Sequence, residues 1–149
     1  MDIGMSLGLL GAAIAFSLSA AGSGLAMGMA GQAAAGVVAE EPRKFGQTLV
    51  LQAIGSTNGI YGLLMGFLIM QKSLLVTDMS SGLWLLASGI PIGVVGFIAA
   101  VGQGKALVSG IILVGKKSGE MAKAIIYAAM IETFAVFALL ISFLMYNSI

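Results

Sequence analysis

Ionisable residues punctuate this chain in clusters and leave long apolar stretches between them. From Ile3 to Ala39 no side chain is ionisable, and then Glu40, Glu41, Pro42, Arg43 and Lys44 follow together. Phe45 to Gln71 is again uncharged, and Lys72 and Asp78 bracket a short polar link, Ser73 to Ser81. Leu83 to Val114 holds one charge, Lys105, ahead of a second basic link, Gly115 to Glu120. The last run, Ala124 to Tyr146, also holds one charge, Glu132. Each run exceeds the roughly 20 residues that cross hydrocarbon as a helix. The two runs before the basic links exceed about 30 residues, so at about 1.5 Å per residue they project beyond the membrane. The pattern predicts an all-α membrane protein with four transmembrane helices. A first hairpin spans residues 1–72, an extracytoplasmic link 73–81, and a second hairpin 82–149.

The two halves repeat each other. Gly31 and Gln32 align with Gly102 and Gln103, and Asn58 aligns with Glu132. Each half is a Gly-rich helix, a basic turn and a bulkier helix, which reads as a duplicated hairpin in one orientation. Arg43, Lys44, Lys116, Lys117 and Lys123 gather around the first and third links, against Lys72 alone at the second. The positive-inside rule therefore places links 40–45 and 115–120 in the cytoplasm and both termini outside. Asp2 stands where a signal peptide would carry basic residues, so the first run is expected to remain as a helix.

Composition sharpens this picture. The hydrophobic fraction is 59 % and the charged fraction 9 %, against roughly 25 % charged in a soluble domain. With a net charge of +1 there is no basic face for nucleic acid. The chain has no Cys and no His, which excludes thiol and histidine chemistry. Among 22 glycines, Gly4, Gly8, Gly11, Gly24, Gly28 and Gly31 mark one face of the first helix, and Gly82, Gly89, Gly93 and Gly96 one face of the third. Small residues let membrane helices approach closely. Such stripes suit pairing within one chain, but their length favours an inner ring of many copies. Pro91 either kinks the third helix or sits near its extracellular end. Lys105 reads as a snorkelling residue near a helix end.

Glu132 carries the chemistry. It lies about 14 Å along the helix from Lys123, deep in the membrane, where a bare carboxylate costs roughly 2.5–3.5 kcal/mol. Protonation, pairing or a bound cation relieves that cost, and a reversible cation site is the favoured expectation. Ser56, Thr57, Asn58 and Tyr61 on the second helix and Gln103 on the third add polar groups. Hydroxyl, amide and carboxylate oxygens are hard donors that suit an alkali cation such as Na⁺. Gly55 loosens the second helix and helps expose the carbonyl of Ile54. Thr57 has a competing use in bonding back to its own helix, and Gln103 in an interhelical hydrogen bond without any ion. Tyr61 either donates to Glu132 or reaches the interface. No phosphate-binding loop is present, since the segment Gly115 to Gly119 lacks the required spacing.

Residues 55–62 (GSTNGIYG), 101–105 (VGQGK) and 130–134 (MIETF) resemble the proteolipid of rotary V-type ATPases, the ring-forming c or K subunit. The resemblance covers essentially the whole chain. It implies a homo-oligomeric rotor ring whose Glu132 residues load and unload an ion as they pass a stator subunit supplying an arginine. Central-stalk subunits would meet the cytoplasmic links, and ATP hydrolysis would belong to other subunits, so this chain has no catalytic residue and no cofactor. In sodium-transporting members the resemblance implies Na⁺ held by Glu132, Gln103 and Thr57, with Asn58 and the Ile54 carbonyl, and Tyr61 bonded to the Glu. Asn58 replaces a Gln, and the family's usual Pro before Gly-Thr is replaced, since this chain reads Gly55, Ser56, Thr57. A proton-specific ring is the alternative reading. A small four-helix secondary transporter fits less well, because those proteins carry their acid on the first helix.

Overall fold

The computed structural model describes residues 2–149, and the regular secondary structure among them is all helical. Helix α1 spans Ile3–Glu40, α2 Phe45–Ile54, α3 Thr57–Ser73, α4 Met79–Lys116 and α5 Met121–Tyr146. Short 3-10 turns at Pro42–Lys44 and Ser118–Glu120 join α1 to α2 and α4 to α5. The second apolar run is thus one span in two pieces, interrupted at Gly55 and Ser56. Four helical segments are long and apolar enough to cross a membrane: Ile3–Glu40, Pro42–Ser73, Met79–Lys116 and Ser118–Tyr146. The chain is a multi-pass membrane protein.

Glycine decides which helices touch. Helices α1 and α4 run parallel in close contact along their length. A Cβ on Gly82 would lie 2.5 Å from the Gly4 carbonyl oxygen, and one on Gly11 2.6 Å from that of Leu85. Gly89 meets Gly11, Gly104 meets Ala26 and Gly115 meets Val37. Each of these α4 glycines stands 78 positions after its α1 partner (82 − 4, 89 − 11, 104 − 26, 115 − 37), so one register holds from end to end. In lipid such backbone approach replaces the missing hydrophobic drive. This corrects the expectation that both stripes face other copies: Gly4, Gly8 and Gly11 and the four α4 glycines are spent inside the chain. Gly24 and Gly28 meet nothing within 4 Å.

Two apolar clusters fill the bundle. One, toward the basic links, gathers Ala30, Leu51, Leu107, Ile111 and Ala128; the other, toward the termini, gathers Ala15, Met65, Ile69, Leu85 and Ile92. Polar side chains occupy the level between them. Pro91 lies inside α4 as its thirteenth residue, away from either end. Beside it the Ile92 N–H donates to Ser142 Oγ of α5 at 3.1 Å, and the Ser19 hydroxyl of α1 donates to the Ile92 carbonyl at 2.8 Å. Neighbouring helices thus bind the backbone that the proline disturbs.

Lysines tie the hairpins at both ends. Lys44 is 5 % exposed; its ammonium donates to the Val114 carbonyl at 2.9 Å and to the Ser118 hydroxyl. It thereby satisfies an end carbonyl of α4 that has no helical donor. At the other end Lys72 donates to the Tyr146 carbonyl at 2.9 Å. Lys105 is exposed but lies eleven residues before Lys116 in α4, which corrects its placement near a helix end.

Candidate ion-binding site

The site is built where α2 gives way to α3. Gly55 and Ser56 close tight bonds to the carbonyls of Gln52 and Ala53, both at 3.1 Å, and helical bonding resumes with Ile60 donating to Ser56. Among the described residues no backbone N–H reaches the Ile54 carbonyl across this break. Its donor is the Thr57 hydroxyl, at 3.0 Å. The sequence expectation that Gly55 frees the Ile54 carbonyl matches this geometry, but Thr57 uses its hydroxyl there and makes no hydrogen bond to Glu132.

The rest of the polar set forms one chain. Tyr61 donates to Glu132 Oε1 at 2.6 Å. From α4, Gln103 donates through Nε2 to Glu132 Oε2 and to the Ala128 carbonyl, both at 3.4 Å. Its Oε1 accepts from Asn58 Nδ2 at 2.9 Å. Asn58 and Gln103 are wholly buried, 0 % exposed each, whereas Glu132 is half-buried, close along α5 to the exposed Met130 and Phe134. Asn58 Oδ1 is the one buried side-chain polar atom without a partner among the described residues. Buried amide oxygens are nearly always bonded, and leaving one unmade costs roughly 1–3 kcal/mol.

Three spans therefore converge on Glu132, bringing together Tyr61, Gln103 and Asn58, with Thr57 and the Ile54 carbonyl adjoining as a mutually bonded pair. Sequence reasoning missed Ser23 of α1, whose Oγ accepts from the Gly59 N–H at 2.8 Å directly after Asn58. A serine among glycines and alanines carries no signal of its own. Another contact it missed at this level is that of the half-buried Gln52, which donates from α2 to the Met27 carbonyl at 3.3 Å.

This arrangement can hold a carboxylate neutral, or hold a small cation among oxygens, at the centre of a membrane helix. The chain is 41 % identical over 95 % of its length to the V-type sodium ATPase subunit K of Enterococcus hirae, covering 91 % of that protein. It is 38 % identical over 93 % of its length to the A-type ATP synthase subunit K of Methanocaldococcus jannaschii, covering 61 % of that protein. The profile of one family, the C subunit of ATP synthase, matches twice, over residues 10–69 and 86–145, once in each hairpin. With one match in each hairpin and Glu132 inside the second, this chain belongs to the ATP synthase C-subunit family.

Proposed function

We propose that this chain is the ion-carrying unit of a rotary ATPase ring, and that it carries one Na⁺ per chain at Glu132. The observation that carries the sodium reading is Asn58 Oδ1, a fully buried amide oxygen with no hydrogen-bond donor. Through Gln103 it sits two hydrogen bonds from the Glu132 carboxylate. A cation among Glu132, Gln103, Asn58, Thr57 and the Ile54 carbonyl would relieve the orphaned oxygen and neutralise the acid at once. The likeness to a sodium ATPase subunit K supports the same reading.

Transport follows from electrostatics. In lipid Glu132 must be neutralised, by Na⁺ or by a proton. Opposite a fixed positive charge in an aqueous half-channel, the bare carboxylate is favoured and its cation leaves. Turning away from that charge requires reloading. The positive charge would come from an arginine on a stator subunit, and a ring of copies would carry Glu132 past it. Glu132 is the only acid in the four apolar runs, which makes the load one ion per two hairpins. Each ion crossing 100 mV exchanges about 2.3 kcal/mol, so several must cross for each ATP handled on other subunits. In the orientation favoured by the basic residues, Arg43, Lys116 and Lys117 face the cytoplasm and the central stalk.

A proton-specific ring is the second reading. It is favoured by the Thr57 hydroxyl and Ile54 carbonyl satisfying each other at 3.0 Å, with Tyr61 already bonded to the acid. The test is labelling of the purified ring with a hydrophobic carbodiimide, which attacks a protonated carboxyl in apolar surroundings. Labelling mapped to Glu132 and suppressed by Na⁺ is the expected result. Labelling that answers to pH alone would select the proton reading, and no labelling of Glu132 would sink both.

A further inference from the structure

Ser23 contacts neither the acid nor any oxygen proposed to hold the cation, yet it is 5 % exposed and bonded at the helix break. In an unbroken helix the Gly59 N–H would donate to the Gly55 carbonyl, four residues back. Here it donates to Ser23 Oγ at 2.8 Å instead. Contact is tight at this point: a Cβ on Gly59 would lie 3.2 Å from Ser23 Oγ and 3.5 Å from the Ala20 Cα. The first turn of α3 is therefore held against α1, and Asn58 lies in that turn.

We infer that Ser23 is a positioning residue for the ion site, acting through the Gly59 amide to keep the α2–α3 break open. This rests on the cation reading given above. The break has two consequences for a cation. It keeps the Ile54 carbonyl clear of backbone donors, and it fixes Asn58 where its Nδ2 reaches Gln103 and its Oδ1 stays unpaired. Without the Ser23 oxygen, the Gly59 N–H either stays buried and unpaired or returns to the Gly55 carbonyl. The first disfavours the present backbone. The second closes the break, restores ordinary helical bonding and turns Asn58 with it. Both weaken the site without removing a ligand.

The test uses the intact ring and carbodiimide labelling of Glu132 titrated with Na⁺. In Ser23→Ala the Na⁺ concentration giving half-protection should rise about tenfold, with labelling in Na⁺-free buffer and the melting temperature of the ring retained. Ser23→Cys keeps the shape with a weaker acceptor, and should shift the midpoint by a smaller factor, about threefold. If the alanine ring does not assemble, the cysteine ring carries the comparison. A wild-type midpoint in an assembled variant, even one of lowered melting temperature, overturns the inference alone. Absence of Na⁺ protection in the wild-type ring overturns the sodium reading and this inference with it.

Discussion

Gly89→Ala puts one methyl group into the seam between α1 and α4. That methyl would land on the carbonyl of Gly11, well inside van der Waals contact. An ordinary carbon–oxygen contact needs about 3.3 Å or more, so the helices must part locally. They are fixed on either side, where a Cβ on Gly82 would already lie 2.5 Å from Gly4 and one on Gly93 2.8 Å from the Ile14 carbonyl. The nearest atom in each of these contacts belongs to the backbone. Overpacking against such neighbours costs about 1–3 kcal/mol. Gly24→Ala is the matched control, because nothing stands within 4 Å of that position inside the chain, and its cost should stay within about 0.5 kcal/mol. Unfolding by SDS in mixed micelles, followed by fluorescence of Trp84 five residues away on α4, measures both. Gly89→Ala should unfold at a clearly lower SDS fraction than wild type, and Gly24→Ala should not. Coincident curves for Gly89→Ala and wild type, or equal losses in both variants, would refute the assignment of the seam.

Glu132→Gln should leave the ring assembled while abolishing ion transport in reconstituted vesicles; retained transport would remove the acid from the mechanism. Tyr61→Phe removes a 2.6 Å bond to the carboxylate; hydrogen bonds to charged groups are worth about 1.5–3 kcal/mol. Its Na⁺ protection of Glu132 against carbodiimide should weaken about tenfold or more. Lys44→Met keeps the buried stem and loses the donors to Val114 and Ser118, which should cost about 1–3 kcal/mol in the same SDS titration. The Ser81 N–H, donating at 2.8 Å, holds the Asp78 carboxyl below its usual value of 3.8. A lowered value means the cap is at full strength above that pH and is lost as pH falls through the depressed value. Amide exchange at Ser81 should therefore accelerate in acid relative to mid-helix amides, and Asp78→Asn should flatten that response.

The spans were legible because charge in a lipid-facing run is so costly that its absence marks each helix. Glu132 stood out by the same logic, and its partners Tyr61 and Gln103 lay within reach once the helices were placed. Glycine spacing was legible as a face but not as an address. A stripe at three- and four-residue intervals tells which side of α1 is thin, while only packing tells that Gly11 meets Gly89 and Gly24 meets nothing. Lys44 was legible as part of the charge at the first link, but its burial was not, because a helix end 70 positions away supplies its acceptor. The break at Gly55 was anticipated from the glycine itself. Its support by Ser23 was not, since a hydroxyl that accepts one amide looks like any small residue in a membrane helix.

The seam also sets a timetable. Gly82, Gly89, Gly104 and Gly115 are each synthesised 78 residues after the α1 position they cover, and ribosomes add roughly 5–20 residues per second. For about 4–16 s, then, the nascent α1 lies in the membrane with its thin face bare. During that interval α1 has only its own hairpin to lean on, through Gln52 with Met27 on α2 and the contacts of Gly62 with Ser19 and Gly66 with Ala12 on α3. Whatever shields that face while the second hairpin is being made must be weak enough to yield to α4, so the closest contact in the finished molecule is among the last to form.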